Sequence, residues 1–132
     1  MSNEVVVGLG SNIDPETHIE QAVHELGSCF SIIKQSSWLR TTPIGIMNQP
    51  DFINGALLLR TELEQKLLKI VLREIEDKLG RDRSQSRLGP RVIDLDIVVW
   101  NGKIVDEDYH DRDFLRESIA QILPELVVSP SS

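Results

Sequence analysis

Apolar residues recur along the chain with two different periods, one typical of strands and one typical of helices. Runs rich in β-branched and other apolar residues predict four strands, at Val5 to Val7, Cys29 to Thr42, Phe52 to Arg60 and Val92 to Trp100. Apolar residues three or four positions apart predict two long helices, which contain Ile19, Ala22, Val23 and Leu26, and Leu67, Ile70, Val71, Ile75 and Leu79. A third, shorter helix is expected from Phe114 to Leu123, because Pro124 cannot continue it.

The residues around these helices predict where each one begins and ends. Asp14 and Pro15 are typical of an N-cap and a first helical turn, and Gly27 is well placed to end that helix. The segment Thr61 to Glu64 fits a capping box for the second helix, which continues to Gly80. The resulting order is β-α-β-β-α-β followed by a short C-terminal helix. We therefore expect a ferredoxin-like α+β fold, with an antiparallel sheet and two helices on one face.

Composition places the chain among ordinary globular proteins. With 132 residues, 40% of them hydrophobic and 27% charged, it is expected to form one domain over residues 1–132. The net charge of −7 argues against nonspecific binding to nucleic acid. The single Cys29 has no partner for an intramolecular disulfide, which fits the reducing cytoplasm expected for this protein or is at least neutral to it. Neither a signal peptide nor a membrane span is visible.

Two acidic residues lie in the fourth predicted strand. Because side chains alternate along a strand, Asp94 and Asp96 share one face, and we expect Leu95, Ile97 and Val99 on the other. Paired carboxylates repel one another unless a cation lies between them, and Mg²⁺ takes one or two carboxylates together with water and phosphate oxygens. The same spacing is common on strand faces that merely contact solvent, so both interpretations stay open at this point.

An arginine-rich segment precedes these acids. Gly80 to Arg91 carries four arginines and one aspartate, a local charge of +3 in a protein of −7. Guanidinium groups neutralise phosphate, and metal ions held by the neighbouring acids would bridge its oxygens. On these residues alone, a polyphosphate site and an ordinary solvated loop are about equally well supported.

Two other segments suggest a ligand. Gly8 to Asn12 could direct backbone N–H groups at an anion, although a tight turn is the simpler interpretation. Phe52 and Asn54 share a strand face that could stack on and hydrogen-bond a heterocycle, although a phenylalanine in a strand more often belongs to the core. Other classes lack their characteristic residues: zinc-ligand spacing, a serine-hydrolase motif and the aromatic strands of RNA-recognition modules.

Several of these segments occur in the order found in one enzyme family. They are Leu9-Gly10-Ser11-Asn12, Thr42-Pro43-Ile44-Gly45, Gln49 to Asn54, Gly80 to Arg83 and Gly89 to Ile97. Over nearly the whole chain, from Val5 to Leu126, the sequence resembles 6-hydroxymethyl-7,8-dihydropterin pyrophosphokinase of folate biosynthesis. The resemblance implies a ferredoxin-like fold and ATP-dependent transfer of a pyrophosphoryl group to the primary alcohol of the dihydropterin, with release of AMP.

The same resemblance implies a role for particular residues. Asp94 and Asp96 would hold two Mg²⁺ ions, and Arg81 and Arg91 would neutralise the triphosphate during transfer. The residues implied to bind the pterin, with Phe52 and Phe114 on either side of its ring, are Thr42, Pro43, Ile44, Phe52, Asn54 and Phe114. The residues implied to contact ATP are Glu76, Arg83, Ile97, His110 and Arg112.

The sequence departs from the family pattern in three places. The connection after Trp100 is short and acidic and lacks a Pro-His element, so that only His110 could take the place of its histidine. Leu88 stands where a tryptophan is common, and Arg73 stands where some members have an uncharged residue. We therefore expect weaker MgATP binding than in a full-length family member. The alternatives are a noncatalytic pterin- or nucleotide-binding paralogue and, with less support, a small RNA-binding module.

Overall fold

A computed structural model describes residues 2–43, 48–84 and 89–126, and the elements below lie within those ranges. The strands are β1 (Asn3–Ser11), β2 (Ser31–Gln35), β3 (Leu39–Thr41), β4 (Phe52–Thr61), β5 (Asp94–Trp100) and β6 (Lys103–Ile104). The helices are α1 (Pro15–Cys29), α2 (Gln65–Lys78), α3 (Asp108–Asp111) and α4 (Asp113–Ile122).

The strands form one antiparallel sheet with β1 between β4 and β5. The order is β2-β4-β1-β5-β6, and β3 pairs with β4 next to the segment that pairs with β2. Because β2 and β3 pair with successive parts of β4, together they occupy the place of one strand. With α1 and α2 as the connections, this is the ferredoxin-like arrangement, so the predicted α+β fold is confirmed.

Helices cover both faces of the sheet. On one face, α1 and α2 pack through Leu26 and Leu72 against residues such as Val7. On the other face, Ile119 of α4 packs near Leu58. Fully burying an aliphatic side chain of this size contributes about 1.5–3 kcal/mol, so both layers stabilise the sheet. No helix within the described ranges is long and apolar enough to cross a bilayer.

The strand predicted from Cys29 to Thr42 is divided in two, which the sequence analysis did not anticipate. At the break, the amide of Ser36 donates to the carbonyl of Ala56 at 2.9 Å, and its hydroxyl accepts from the amide of Ala56 at 2.8 Å. The ring of Trp38 then lies so close to Gly55 that a Cβ there would be only 2.2 Å from it. Gly55 therefore makes room for the tryptophan.

A β-bulge corrects the predicted face of Val99. The β1–β5 register pairs Val6 with Val99 but Val7 with Ile97, which leaves Val98 as an extra residue. As a result, Val99 lies in the core beneath α4, whereas Ile97 packs on the α1 and α2 face as predicted. The bulge follows the two acids, so the alternation at the start of β5 is preserved.

The helix ends agree with the prediction only in part. Pro15 is the first residue of α1, but Asp14 makes no side-chain cap bond, and the helix continues past Gly27. It ends where Phe30 becomes extended and packs on the core, with its amide still bonded to α1. The capping box is absent, because the Thr61 hydroxyl accepts from the amide two residues on, at 3.0 Å, within a turn before α2.

Candidate functional site

Three adjacent strands bring the predicted pterin and metal residues to one end of the sheet. Gly10 of β1 pairs with Asn54 of β4 on one side and with Asp94 of β5 on the other. Neighbouring strands are about 4.8 Å apart, so the backbones at Asn54 and Asp94 are separated by about 10 Å. Gly8 pairs in the same way with Asp96. We call Gly8 and Gly10 the glycine floor, because neither residue contributes a side chain to the strand surface between the amide and the two carboxylates. Leu115 of α4 packs near Gly8, 3.5 Å from where a Cβ would lie.

Gly10 is required by the close approach of Asn54. A Cβ at this position would lie 2.7 Å from Oδ1 of Asn54. The amide cannot turn away without loss, because its Nδ2 donates to the hydroxyl of Thr41 at 2.6 Å and the residue is buried. The chain thus holds one fixed amide at the edge of the glycine floor, able to recognise the polar edge of a heterocycle.

The two carboxylates of β5 differ in their surroundings. Asp94 accepts a bond from Nη1 of Arg81 at 2.9 Å, and Nη1 of Arg91 lies 3.4 Å away. Asp96 is exposed as a residue, although its carboxyl group is partly desolvated by the surrounding protein. That desolvation, followed by the charges of Asp94, Asp106 and Glu76, raises the pKa of Asp96 to about 8. No cluster of three or more acids, histidines or cysteines in the described residues has metal-binding geometry, so the pair would rely on water and phosphate for its remaining ligands.

A tight helix end places Arg81 against this pair. Gly80 has a φ of 99°, and its amide donates to the carbonyl of Asp77 at 3.1 Å. The amide of Arg81 donates to the carbonyl of Glu76 at 3.1 Å, which completes a Schellman motif at the end of α2. Glycine adopts this backbone at no steric cost. The predicted helix end at Gly80 is therefore also what directs Arg81 towards β5.

Glu76 is the buried centre of the arginine cluster. Its Oε2 accepts from Nη1 of Arg81 at 2.7 Å and from the amide of Leu95 at 2.8 Å. Its Oε1 accepts from Nη2 of Arg83 at 3.0 Å, and the residue is only 5% exposed. Glu76 was expected from the resemblance to contact the nucleotide. The structure places it beneath two arginines that would do so, and joins it to the start of β5.

Arg81 and Arg91 flank a small cavity of about 120 Å³. Both side chains are mostly buried, at 15% and 13% exposed. The Nε of Arg81 is buried and has no hydrogen-bond acceptor in the part of the chain that the structure describes. A buried N–H group without a partner is costly, and a phosphate oxygen would satisfy it.

The other residues predicted to bind the pterin lie on or next to β3, β4 and α4. Phe52 begins β4 opposite Thr41 of β3, and it is half-buried. Phe114, in the first turn of α4, is half-buried against the core beneath that helix. Pro43 is buried and Thr42 is exposed, next to β3. Ile44 lies outside the described residues, as does Leu88.

The remaining residues that the resemblance implied for ATP binding, Ile97, His110 and Arg112, lie on different elements of the fold. Ile97 is half-buried on the α1 and α2 face. His110 is exposed on α3, with its ring edge-on to Tyr109 at 5.4 Å, and Arg112 precedes α4. Arg116, which the sequence analysis missed, donates to the carbonyl of Tyr109 at 2.9 Å and so holds α3 on α4. Nothing in the polar run around α3 signals this contact.

Comparison with known proteins decides the family. The model of the 7,8-dihydro-6-hydroxymethylpterin-pyrophosphokinase family matches residues 6–124. The chain belongs to this family. The pyrophosphokinase resemblance and enzyme class predicted from the motifs are therefore confirmed, and the family, rather than an RNA-binding module, accounts for the β-α-β-β-α-β order.

Three bacterial relatives carry the name 2-amino-4-hydroxy-6-hydroxymethyldihydropteridine pyrophosphokinase. The chain is 38% identical over 111 residues to the protein of Bacillus subtilis, covering 82% of this chain and 66% of that protein. It is 35% identical to the Methylorubrum extorquens protein, covering 92% of this chain and 84% of that one. For the Haemophilus influenzae protein the identity is 31%, with 95% of this chain and 84% of that protein covered. The aligned region therefore spans just under two thirds of the Bacillus subtilis protein.

Proposed function

We propose that the protein transfers a pyrophosphoryl group from ATP to 6-hydroxymethyl-7,8-dihydropterin and releases AMP. The observation that carries this proposal is the strand register: Gly10 lies between the buried amide of Asn54 and the carboxylate of Asp94. A heterocycle held at one side of the glycine floor would present its side-chain alcohol towards groups that bind phosphate. Such a reaction depends on position and charge, and it needs no covalent nucleophile.

The donor set at the start of β5 fits magnesium. Asp94 and Asp96 supply two carboxylates on one strand face. Burial, followed by the neighbouring negative charges, raises the pKa of Asp96, which supports a cation as the partner of the ionised pair. We propose that these residues hold two Mg²⁺ ions, as the resemblance implies. When bound, Mg²⁺ neutralises phosphate oxygens and orients the reacting groups.

The arginines would take the remaining charge of the triphosphate. Arg81 and Arg91 both line the same cavity, so an anionic group there would contact both guanidinium groups. Arg83 is held beside them by Glu76 and Asp77, the latter at 2.9 Å. Because Glu76 and Asp94 fix Arg81 before ATP arrives, little side-chain entropy remains to be lost on binding.

We propose that the pterin lies over the glycine floor. Asn54 would read its hydrogen-bonding edge, and the rings of Phe52 and Phe114 would stack on its two sides. Thr42, Pro43 and Ile44 would contribute the surrounding backbone. The half-buried state of both phenylalanines supports this arrangement, since a ring fully inside the core would have no face left for a ligand.

The deciding experiment measures both products. The full chain is incubated with ATP, Mg²⁺ and the dihydropterin alcohol, and AMP and pterin diphosphate are quantified by chromatography. Equal amounts of the two products, lost with Asp96→Asn and with chelator, support the proposal. Pterin binding by calorimetry without AMP formation would instead identify the noncatalytic paralogue.

The acidic connection after β6 supports the expectation of weak MgATP binding. Burial and the neighbouring charges of Asp108, Asp94 and Glu107 raise the pKa of Asp106, while a hydrogen bond from the amide of Asp108 opposes the rise. The influence of Asp94 places this carboxylate within electrostatic reach of the proposed metal pair. Its charge would repel the triphosphate. We also propose that the protein works in the cytoplasm, where ATP is supplied and an unpaired Cys29 stays reduced.

A further inference from the structure

Asn12, the residue that follows β1, connects the two sides of the proposed site. Its Nδ2 donates to Oε1 of Gln49 at 2.9 Å and to the carbonyl of Pro50 at 3.1 Å. Its Oδ1 accepts from the amide of Arg91 at 2.7 Å, and its own amide donates to the carbonyl of Arg91 at 3.0 Å. The residue is 3% exposed, so water does not compete for these bonds.

The segments joined by Asn12 belong to opposite sides of the site and do not pair with each other. Gln49 and Pro50 lead directly into β4, which carries the proposed pterin residues, and Arg91 leads into β5 with its carboxylates. The ladder between β1 and β4 ends at the pair of Ser11 and Ile53. Beyond that pair, where no strand hydrogen bonds remain, the side chain of Asn12 links the segment before β4 to the segment before β5.

The chemistry of the partners requires an amide at this position. The carbonyl of Pro50 can only accept a hydrogen bond, and the amide of Arg91 can only donate one. A side chain that serves both must present a donor on one side and an acceptor on the other. Asparagine does so with a short, stiff side chain, whereas aspartate offers only acceptors.

We infer that Asn12 is a positioning residue for the transfer reaction. It holds the pterin-side segment 49–54 in register with Arg91, so that the alcohol and the triphosphate meet in the alignment that transfer requires. The inference rests on the proposed function. It assigns Asn12 no contact with either substrate, because its polar side-chain atoms are engaged by the protein.

Three variants of the full chain separate positioning from stability. Asn12→Ala removes both sets of side-chain bonds. Asn12→Asp keeps the acceptor for Arg91 but cannot donate to Pro50. The control is Asn3→Ala at the other end of β1, which removes the 2.8 Å bond from Nδ2 of Asn3 to the carbonyl of Leu63. For each, we propose measuring thermal unfolding, kcat, KM for both substrates, and hydrogen exchange in a peptide that contains the Arg91 amide.

We expect Asn12→Ala to lower kcat by about 10- to 100-fold, since misplacement by about 1 Å has that effect on transfer reactions. Exchange at Arg91 should accelerate. The melting temperature should fall further than in Asn3→Ala, because the bonds lost at residue 12 are buried, so kcat is compared at a temperature at which both variants are folded. Asn12→Asp should preserve slow exchange at Arg91, but because it cannot donate to Pro50 it should raise KM for the pterin. The inference is overturned if Asn12→Ala matches Asn3→Ala in kcat and both KM values. Failure of the proposed function is recognised separately, because the unmodified chain would then form no AMP.

Discussion

Replacing Glu76 by glutamine tests whether the arginine cluster depends on a buried charge. The substitution keeps the shape of the side chain but removes the charge that faces Arg81 and Arg83 at 2.7 and 3.0 Å. Removing one partner of a buried ion pair costs about 3–5 kcal/mol. Here both arginines keep a second carboxylate, Asp94 for Arg81 and Asp77 for Arg83. We therefore expect the free energy of unfolding to fall by about 2–3 kcal/mol, less than when a buried charge loses its only partner.

Urea denaturation at pH 7 measures this loss, with the dependence on urea concentration checked for a change that would signal a different unfolded state. The matched control is Asp77→Asn, because that carboxylate is 56% exposed and pairs with the same Arg83. An exposed pair contributes at most about 1 kcal/mol, so the control should change stability little. Glu76→Gln should also raise KM for MgATP. If its cost equals that of Asp77→Asn, the buried carboxylate does not organise the cluster.

Three further predictions concern the ligands. Asp96→Asn should abolish turnover and, in the absence of metal, stabilise the fold. Because the pKa of Asp96 is raised from 3.8 to about 8 on folding, its ionisation destabilises the folded state increasingly as the pH rises between these values. The melting temperature of Asp96→Asn should therefore exceed that of the unmodified protein by the full amount above pH 8 and by nothing below pH 3.8. Phe114→Ala should weaken pterin binding by about 1–3 kcal/mol in calorimetry and MgATP binding much less; equal losses would show that the ring is only structural. Neutralising residues 106–108 as Asn, Gln and Asn should tighten MgATP, more strongly at low salt; unchanged affinity would contradict the electrostatic argument.

The order of elements could be predicted because each long element carries an uninterrupted period. In α2 the helix was predicted correctly but its buried face only in part. Leu68, Leu72 and Ile75 are buried, whereas Leu67 and Ile70, which the predicted period included, are exposed. The bulge in β5 could not be predicted, because Val98 and Val99 are the same residue type and either could face either core. α3 was missed for a related reason, since four residues with no buried side chain have no apolar period.

At the candidate site, residue types were predictable but their contacts were not. The sequence indicates that Arg81 and Asp94 are chemically suited to phosphate and metal. Their 2.9 Å contact, however, joins positions separated by an arginine-rich loop, and it depends on the turn at Gly80. The burial of Glu76 beneath two arginines could not be predicted, because nothing local shows that a glutamate near a helix end will be buried. Asn12 belongs to a recognisable motif, but its partners lie 37 and 79 residues away.

The contact between Gly10 and Asn54 has a consequence for how the binding surface can change through successive mutations. A methyl group at residue 10 collides with Oδ1 of Asn54 at 2.7 Å, so Gly10→Ala is blocked while the asparagine and its bond to Thr41 remain. If Asn54 is first shortened to serine, the obstacle disappears and alanine becomes acceptable at residue 10. Two substitutions that are compatible together can therefore be reached in one order and not in the other. A search for variants with altered heterocycle preference that samples single changes at Gly10 alone would miss every such pair.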